Sequence, residues 1–299
     1  MKRRKLTALL LAVLLCGVFL IGGCAGKGSD TIRIATKPMT EQFILSEMLA
    51  ALIEQDTDLN VEITKGIAGG TGNIHPAMVK GDFDLYPEYT GTAWTDVLKN
   101  TTEETPDEMY KKLQEQYKDQ FNMEWVGLYG FNNTYTLAVK KEFAEENNVE
   151  TFSDLAPYTP DLKFGAEYDF YEREDGYDPL CEAYGYHFGD TSDLDIGLKY
   201  QAISADEVNV INAFTTDGML GAYGLKTLKD DKNFFTSYYC GTIVREEVLE
   251  AHPELRDVLM KMEGILTDEE MAELNYRVEN DKEDEKTVAV DFLTQKGLL

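Results

Sequence analysis

Tyrosine carries the most suggestive chemistry in this sequence. There are 17 tyrosines, many beside turn-forming residues rather than inside apolar runs. Tyr86-Pro87-Glu88-Tyr89-Thr90-Gly91-Thr92 is one cluster, Asn132-Asn133-Thr134-Tyr135 a second, and Phe234-Phe235-Thr236-Ser237-Tyr238-Tyr239 a third. At a strand end an aromatic ring can present its face to a cleft. Several such faces hold a quaternary ammonium ion, which donates no conventional hydrogen bond and is only lightly hydrated. Each cation–π contact contributes about 0.5–2 kcal/mol. Tyrosine also packs in ordinary cores and interfaces, so the residues alone leave both readings open.

Other chemistries lack their residues. The stretch Gly66-Ile67-Ala68-Gly69-Gly70-Thr71-Gly72 has no Lys-Ser/Thr ending and so is not a phosphate loop; it reads as a tight strand-to-helix turn near a cleft. No Gly-x-Ser-x-Gly elbow occurs. His75, His187 and His252 are far apart, without metal-ligand spacing, and read as surface or turn residues. The acidic run 190–195 lacks the central Gly and terminal Glu of a calcium loop and reads as solvated loop. A glycosidase-type carboxylate pair is available among 55 acidic residues, but such abundance carries no information. Cys181 and Cys240 are left as a permitted disulfide or two free thiols. No metal or cofactor is expected.

The first residues form an address. Lys2, Arg3, Arg4 and Lys5 precede an apolar run over 6–21, then Leu20-Ile21-Gly22-Gly23-Cys24. That ending looks like a lipobox, implying a signal peptide over 1–23, lipid on Cys24, and a polar tether over 24–30. The protein is therefore expected outside the cytoplasmic membrane, held to it by acyl chains. A formal net charge of −27, with 28 basic residues against 55 acidic ones, argues against nucleic-acid partners. With 43% apolar residues the chain can bury a full core, which excludes an acidic disordered chain.

The elements that must position these clusters alternate between strand and helix. Residues 31–37 read as a strand with Ile32 and Ile34 on one face, and Thr40 as the N-cap of a helix to 55. A strand over 59–64, a helix ending at Lys80 and a short strand over 84–86 follow. That order predicts a parallel sheet with right-handed crossovers. Strands are expected over 125–131, 134–140, 163–168 and 208–213, and helices over 143–147, 152–156, 194–204 and 286–293. Thr267-x-x-Glu270 opens another helix as a capping box. Two α/β lobes with a strand exchange suit this pattern, and a single doubly wound domain with insertions suits it too.

Several segments resemble the glycine betaine/carnitine/choline-binding proteins of osmoprotectant ABC importers. They include Lys37-Pro38-Met39-Thr40-Glu41-Gln42, Gly69-Gly70-Thr71-Gly72, Asp84-Leu85-Tyr86-Pro87-Glu88-Tyr89-Thr90-Gly91-Thr92 and Phe131-Asn132-Asn133-Thr134-Tyr135. Arg173-Glu174-Asp175-Gly176-Tyr177, Thr216-Asp217-Gly218 and the stretch from Thr267 to Tyr276 extend the match over nearly all of 31–299. The resemblance implies an α/β type II periplasmic-binding-protein fold, with two lobes closing on a ligand cleft. Lobe I would hold 31–131 and 240–299, and lobe II 132–239. Tyr89, Tyr135 and Tyr238 match cage tyrosines, and Phe214 stands where the family usually has a fourth. Phenylalanine keeps the π face and loses the hydroxyl. Tyr239 and Cys240 depart from the family, in which an Asp usually follows the cage tyrosine. Lys37, Thr92 and Arg173 fall where carboxylate-binding members hold a betaine carboxylate, a task that suits a cation, a hydroxyl and a bidentate guanidinium. The implied protein is a monomeric, lipid-anchored receptor without covalent chemistry, handing its ligand to an ABC permease and its ATPase. The alternative classes are an exported hydrolase using a carboxylate pair and an adhesion module.

Overall fold

The computed structural model describes residues 31–101, 104–167, 170–171, 176–195 and 198–299. The lipobox with Cys24, and Arg173, lie outside them. Among the described residues ten strands form two five-stranded sheets. The first holds β1 (Thr31–Ala35), β2 (Asn60–Thr64), β3 (Leu85–Tyr89), β4 (Met123–Asn132) and β10 (Tyr239–Arg245), in the order β2-β1-β3-β10-β4. The second holds β5 (Tyr135–Lys140), β6 (Lys163–Ala166), β7 (Asp190–Asp193), β8 (Val210–Phe214) and β9 (Leu225–Thr227), in the order β7-β6-β8-β5-β9.

The first sheet starts as its sequence predicts. β1 runs parallel to β2, with Ile32 opposite Val61 and Ile34 opposite Ile63, and parallel to β3 through Ile34 and Leu85. The helix Thr40–Asp56 buries Ile44, Leu45, Met48, Leu49, Leu52 and Ile53 against it. The parallel pairing expected of these first three strands is present, and the sheet then continues with a strand of the other direction. β10 lies antiparallel between β3 and β4, so the sheet is mixed. Its sequence distance from β3 and β4 hides that pairing.

The central strands of both sheets are buried on both faces, because neighbouring residues point to opposite sides and a separate core covers each side. On β10, Val244 joins the core beneath the helix Thr40–Asp56, while Ile243 packs with Trp94, Tyr117 and Trp125 on the other side. On β8, Val210 packs with Phe152 and Phe164, and Ile211 packs with Tyr200 and Ile203. Such strands read as continuous apolar runs rather than alternating ones.

Two sequence expectations change and a third holds. The acidic run is not loop throughout: Asp190–Asp193 is an edge strand parallel to β6. Its charges stay in solvent, and Lys163 pairs with Asp190 at 3.2 Å. Charge on an edge strand discourages further pairing. His75 is buried at 8% exposure, edge-on to Tyr117 and Phe121, because it lies on the inner face of the helix Thr71–Lys80. The capping box does form: Glu270 N–H donates to the Thr267 hydroxyl at 3.1 Å, and Thr267 N–H to the Glu270 carboxylate at 3.0 Å. The helix Pro106–Phe121, not anticipated from sequence, opens on Thr105 as N-cap with Pro106 at its first position.

Two chain crossings join the sheets. Asn133 and Thr134 link β4 to β5, and the segment after β9 returns through Ser237 and Tyr238 to β10. The crossings are bonded to each other. Asn133 N–H donates to Tyr238 C=O at 3.2 Å, Tyr238 N–H to Asn132 Oδ1 at 2.6 Å, and Thr134 Oγ1 to Thr236 C=O at 2.9 Å.

Candidate functional site

The aromatic clusters gather where strands end beside these crossings. Tyr89 closes β3, Tyr135 opens β5, Phe214 closes β8, and Tyr238 immediately precedes β10. Their exposure differs: Phe214 is open to solvent, whereas Tyr89 is buried in the core of the first sheet.

The second sheet supplies a facing pair. Tyr135 and Phe214 are directly opposite in the antiparallel register of β5 and β8. Their ring centroids are 4.6 Å apart and their planes inclined by 34°. Phe235 and Phe170 back Tyr135 at 5.5 and 5.6 Å. Phe214 is 38% exposed, one of few large apolar side chains left so open. The sequence clusters did not single out Phe170; its neighbours in sequence are polar, and only the fold brings it behind Tyr135.

On the first sheet, Tyr238 lies flush on Gly91, where a Cβ would meet its ring at 2.7 Å and Ser237 C=O at 2.9 Å. A glycine is required there by close approach. Thr90 completes the seam, donating to Ser237 C=O and accepting from Tyr239 N–H, both at 3.1 Å. Thr92 sits half-buried on the same helical turn.

Tyr89 is held from two sides. Its hydroxyl donates to the Glu41 carboxylate at 2.5 Å. Burial, reinforced by the Glu41 charge, pushes that hydroxyl's pKa well up. Over its ring sits the Lys37 ammonium, 4.6 Å from the centroid. Lys37 is only 7% exposed and is ion-paired to Glu88, which is fully buried. Glu88 also accepts from the Thr71 hydroxyl and from Tyr89 N–H, each at 2.7 Å. The cation expected to meet a ligand carboxylate thus already has a carboxylate partner and an aromatic face.

Glu41 escaped the sequence reading as a functional residue, although it stands in the motif Thr40-Glu41-Gln42. Its carboxylate is 3% exposed. Burial raises its pKa, opposed by hydrogen bonds from Tyr89, Thr216, Asn133 and Asn275. The motif is the one signal in the sequence that could have singled it out; composition could not, because its donors come from four distant segments.

Cys181 and Cys240 are free thiols, and burial pushes Cys181 up to about 11. Among the described residues no group of three His, Cys, Asp or Glu side chains could hold a metal ion. A cavity of about 1180 Å³ spans both sheets' territory near the crossings, lined by Tyr135, Tyr239, Asp268 and Tyr276 among others. Of the described ligand-binding candidates, Tyr135 alone borders it. The structure therefore brings the candidates together as Tyr135 with Phe214, Lys37 with Tyr89, and Tyr238 beside the Thr90–Thr92 turn.

A family model described as the substrate binding domain of an ABC-type glycine betaine transport system matches residues 30–295. The ergothioneine transport permease/ergothioneine binding protein EgtU of Helicobacter pylori is 46% identical over 265 residues. That alignment takes in 89% of this chain but 47% of the relative's length, so the chain spans about half of that protein. The carnitine transport binding protein OpuCC of Listeria monocytogenes is 35% identical, over 99% of this chain and 98% of the relative. A crystal structure of a glycine betaine/carnitine/choline ABC transporter protein superposes with a TM-score of 0.85 at 33% identity, covering 91% of this chain and 99% of that one.

Proposed function

The chain belongs to the family of substrate-binding domains of ABC-type glycine betaine transport systems, and from that premise we propose that it captures a trimethylammonium carboxylate in a cage of Tyr89, Tyr135, Phe214 and Tyr238. Its fold is that of the type II periplasmic binding proteins, two α/β lobes with a ligand cleft. It is a substrate-binding protein of an ABC importer and works outside the cytoplasmic membrane.

The observation that carries the cage reading is the facing pair Tyr135 and Phe214 at the crossings, with Tyr89 and Tyr238 on the strand ends of the other sheet. Lobe I comprises 31–131 and 240–299, and lobe II 132–239; the return of β10 into the first sheet supports this division. Carnitine and ergothioneine, named for two relatives, each carry a trimethylammonium group and a carboxylate, and that shared chemistry defines the substrate class. Thr92, Arg173 and Lys37 take the carboxylate, Lys37 doing so only by sharing or leaving Glu88. Closure is a population shift driven by contacts from both lobes. A signal peptide over 1–23 directs export and is removed before Cys24; a lipid on Cys24 and a tether over 24–30 then hold the monomer at the membrane, where it meets its permease and ATPase. The exported-hydrolase alternative has no supporting observation, and the relatives are transport proteins.

The test is calorimetric titration of the soluble chain from Lys27 onward with glycine betaine, carnitine, proline betaine, ergothioneine and choline. Binding of carboxylated ligands in preference to choline is expected. Tyr89→Ala should weaken binding; a change within about threefold, about 0.65 kcal/mol, would remove Tyr89 from the cage. No binding by any of the five would sink the substrate class.

A further inference from the structure

Four segments that carry or adjoin the cage converge on a single buried carboxylate. Glu41 stands in the first turn of the helix Thr40–Asp56. It accepts from the Tyr89 hydroxyl at 2.5 Å and from Asn133 Nδ2 at 3.0 Å. On its other oxygen it meets Asn275 Nδ2 at 3.4 Å, and the neighbouring Thr216 hydroxyl helps to hold its pKa down. Asn275 Nδ2 in turn donates to Thr216 C=O at 2.9 Å.

The placement of these donors matters more than their number. Tyr89 is a cage residue at the end of a first-sheet strand. Asn133 is a crossing residue, two positions before Tyr135. Thr216 lies two positions after Phe214, on the second sheet's side. Asn275, on the helix Asp268–Glu279, belongs to the first sheet's side and grips the Phe214 loop. Glu41, Asn275 and Thr216 are each under 7% exposed. Charge-assisted hydrogen bonds of this kind are stronger than neutral ones and fix geometry.

We propose that Glu41 is a positioning residue that ties the Tyr89 half of the cage to the Tyr135 and Phe214 half. It touches no ligand; it sets how the rings face one another across the crossings. This inference rests on the cage reading above for its effect on affinity, but the tie itself has a ligand-free readout.

Glu41→Ala, Glu41→Gln, Tyr89→Phe and Asn275→Ala are compared with the parent chain. The first measurement is amide hydrogen exchange of the free proteins. Asn133 N–H, Thr134 N–H and Thr215 N–H are all hydrogen-bonded in the crossings and the loop after β8, so each reports local opening. Glu41→Ala should speed exchange at all three together, relative to core amides of β1 and β8. Glu41→Gln, which keeps one acceptor oxygen, should restore much of the protection. The second measurement is affinity for the five ligands. Glu41→Ala should weaken every trimethylammonium ligand by a similar factor, at least tenfold, whether or not it has a carboxylate. Combining Glu41→Gln with Tyr89→Phe should weaken binding no more than about twofold beyond the larger single effect.

Exchange that rises evenly over the whole chain, or only within the helix Thr40–Asp56, overturns the proposal. So do multiplying effects in the double variant. If Glu41→Ala does not fold, Tyr89→Phe and Asn275→Ala cut single ties and carry the same exchange test. A parent chain that binds none of the ligands removes the cage reading, while the exchange pattern still decides whether Glu41 is the tie.

Discussion

Replacing Lys37 by methionine tests the most consequential contact at the site. The Lys37 side chain is 8% exposed and that of Glu88 is 0%. Methionine keeps most of the stem volume and removes the charge. Glu88 is then left buried with hydrogen bonds from Thr71 and Tyr89 but no counter-ion. Stripping one partner from a buried pair costs about 3–5 kcal/mol. The two remaining donors keep the carboxylate from being bare, which favours the lower end, about 3 kcal/mol. At about 2–4 °C per kcal/mol for a chain of this size, the free protein should melt about 6–12 °C lower. Thermal unfolding by circular dichroism without ligand measures this. Adding Glu88→Gln to Lys37→Met removes the orphaned charge and should recover most of the loss. Titrations on the same variants separate two roles. If Lys37 serves only as counter-ion to Glu88, carboxylated ligands and choline weaken alike; if it also grips the ligand, the carboxylated ones weaken more than choline. A loss below about 1 kcal/mol, unchanged in the Glu88→Gln background, would refute the buried-pair reasoning.

Phe214→Ala should lower cation affinity by about 2–30-fold, matching about 0.5–2 kcal/mol for one ring face, with little change in melting because the ring is 38% exposed. Titration with glycine betaine and melting of the free variant check both halves. Gly91→Ala places a methyl 2.7 Å from the Tyr238 ring; that overpacking should cost about 1–3 kcal/mol of stability and displace the ring. Unaltered affinity in that variant would take Tyr238 out of the cage. Asp84 accepts from the Arg33 side chain at 2.7 and 2.9 Å and from Arg245 at 2.8 Å. Burial pushes its carboxyl up, but the hydrogen bonds from Arg33 and Arg245 outweigh this and hold it below its ordinary 3.8. A depressed value stabilises the fold above the unfolded-state value and loses that contribution as pH falls through the folded one. Asp84→Asn should therefore cost about 1–2 kcal/mol at pH 7, discounted for the partly exposed Arg33. In urea unfolding, the gap between the variant and the parent should close as pH drops below about 4.

Local signals explain what could be read in advance. Ile32 and Ile34 alternate, the helix after Thr40 repeats its apolar positions, and Thr267 with Glu270 form the box their spacing promises. The proposed cage positions come from the family resemblance, because the flanking turn residues alone leave a cage and ordinary packing both open. What escaped depends on partners distant in sequence. Tyr239–Arg245 pairs with β3 and β4 from more than a hundred residues away, and no pattern within it says so. Asp190–Asp193 has strand geometry because β6 offers it an edge, against the preference of its own residues. Lys37 reads as a ligand contact by motif, yet Glu88, 51 residues on, is its partner. Glu41 reads as one acid among 55.

The position of β10 also governs when the molecule can exist as a folded object. The middle of the first sheet is filled by Tyr239–Arg245, so β3 and β4 face an empty slot until nearly all of the chain has been made. Pairings this distant close slowly, because loop closure precedes the contacts that stabilise it. An emerging chain therefore cannot finish its first half early and must stay loose until its last quarter arrives. For a substrate-binding protein that works outside the cytoplasmic membrane, that delay would leave the chain unfolded for passage if it crosses as an extended strand. The same delay leaves two unpaired edges open to other chains in the meantime, so rapid delivery and chaperoning matter most during that interval.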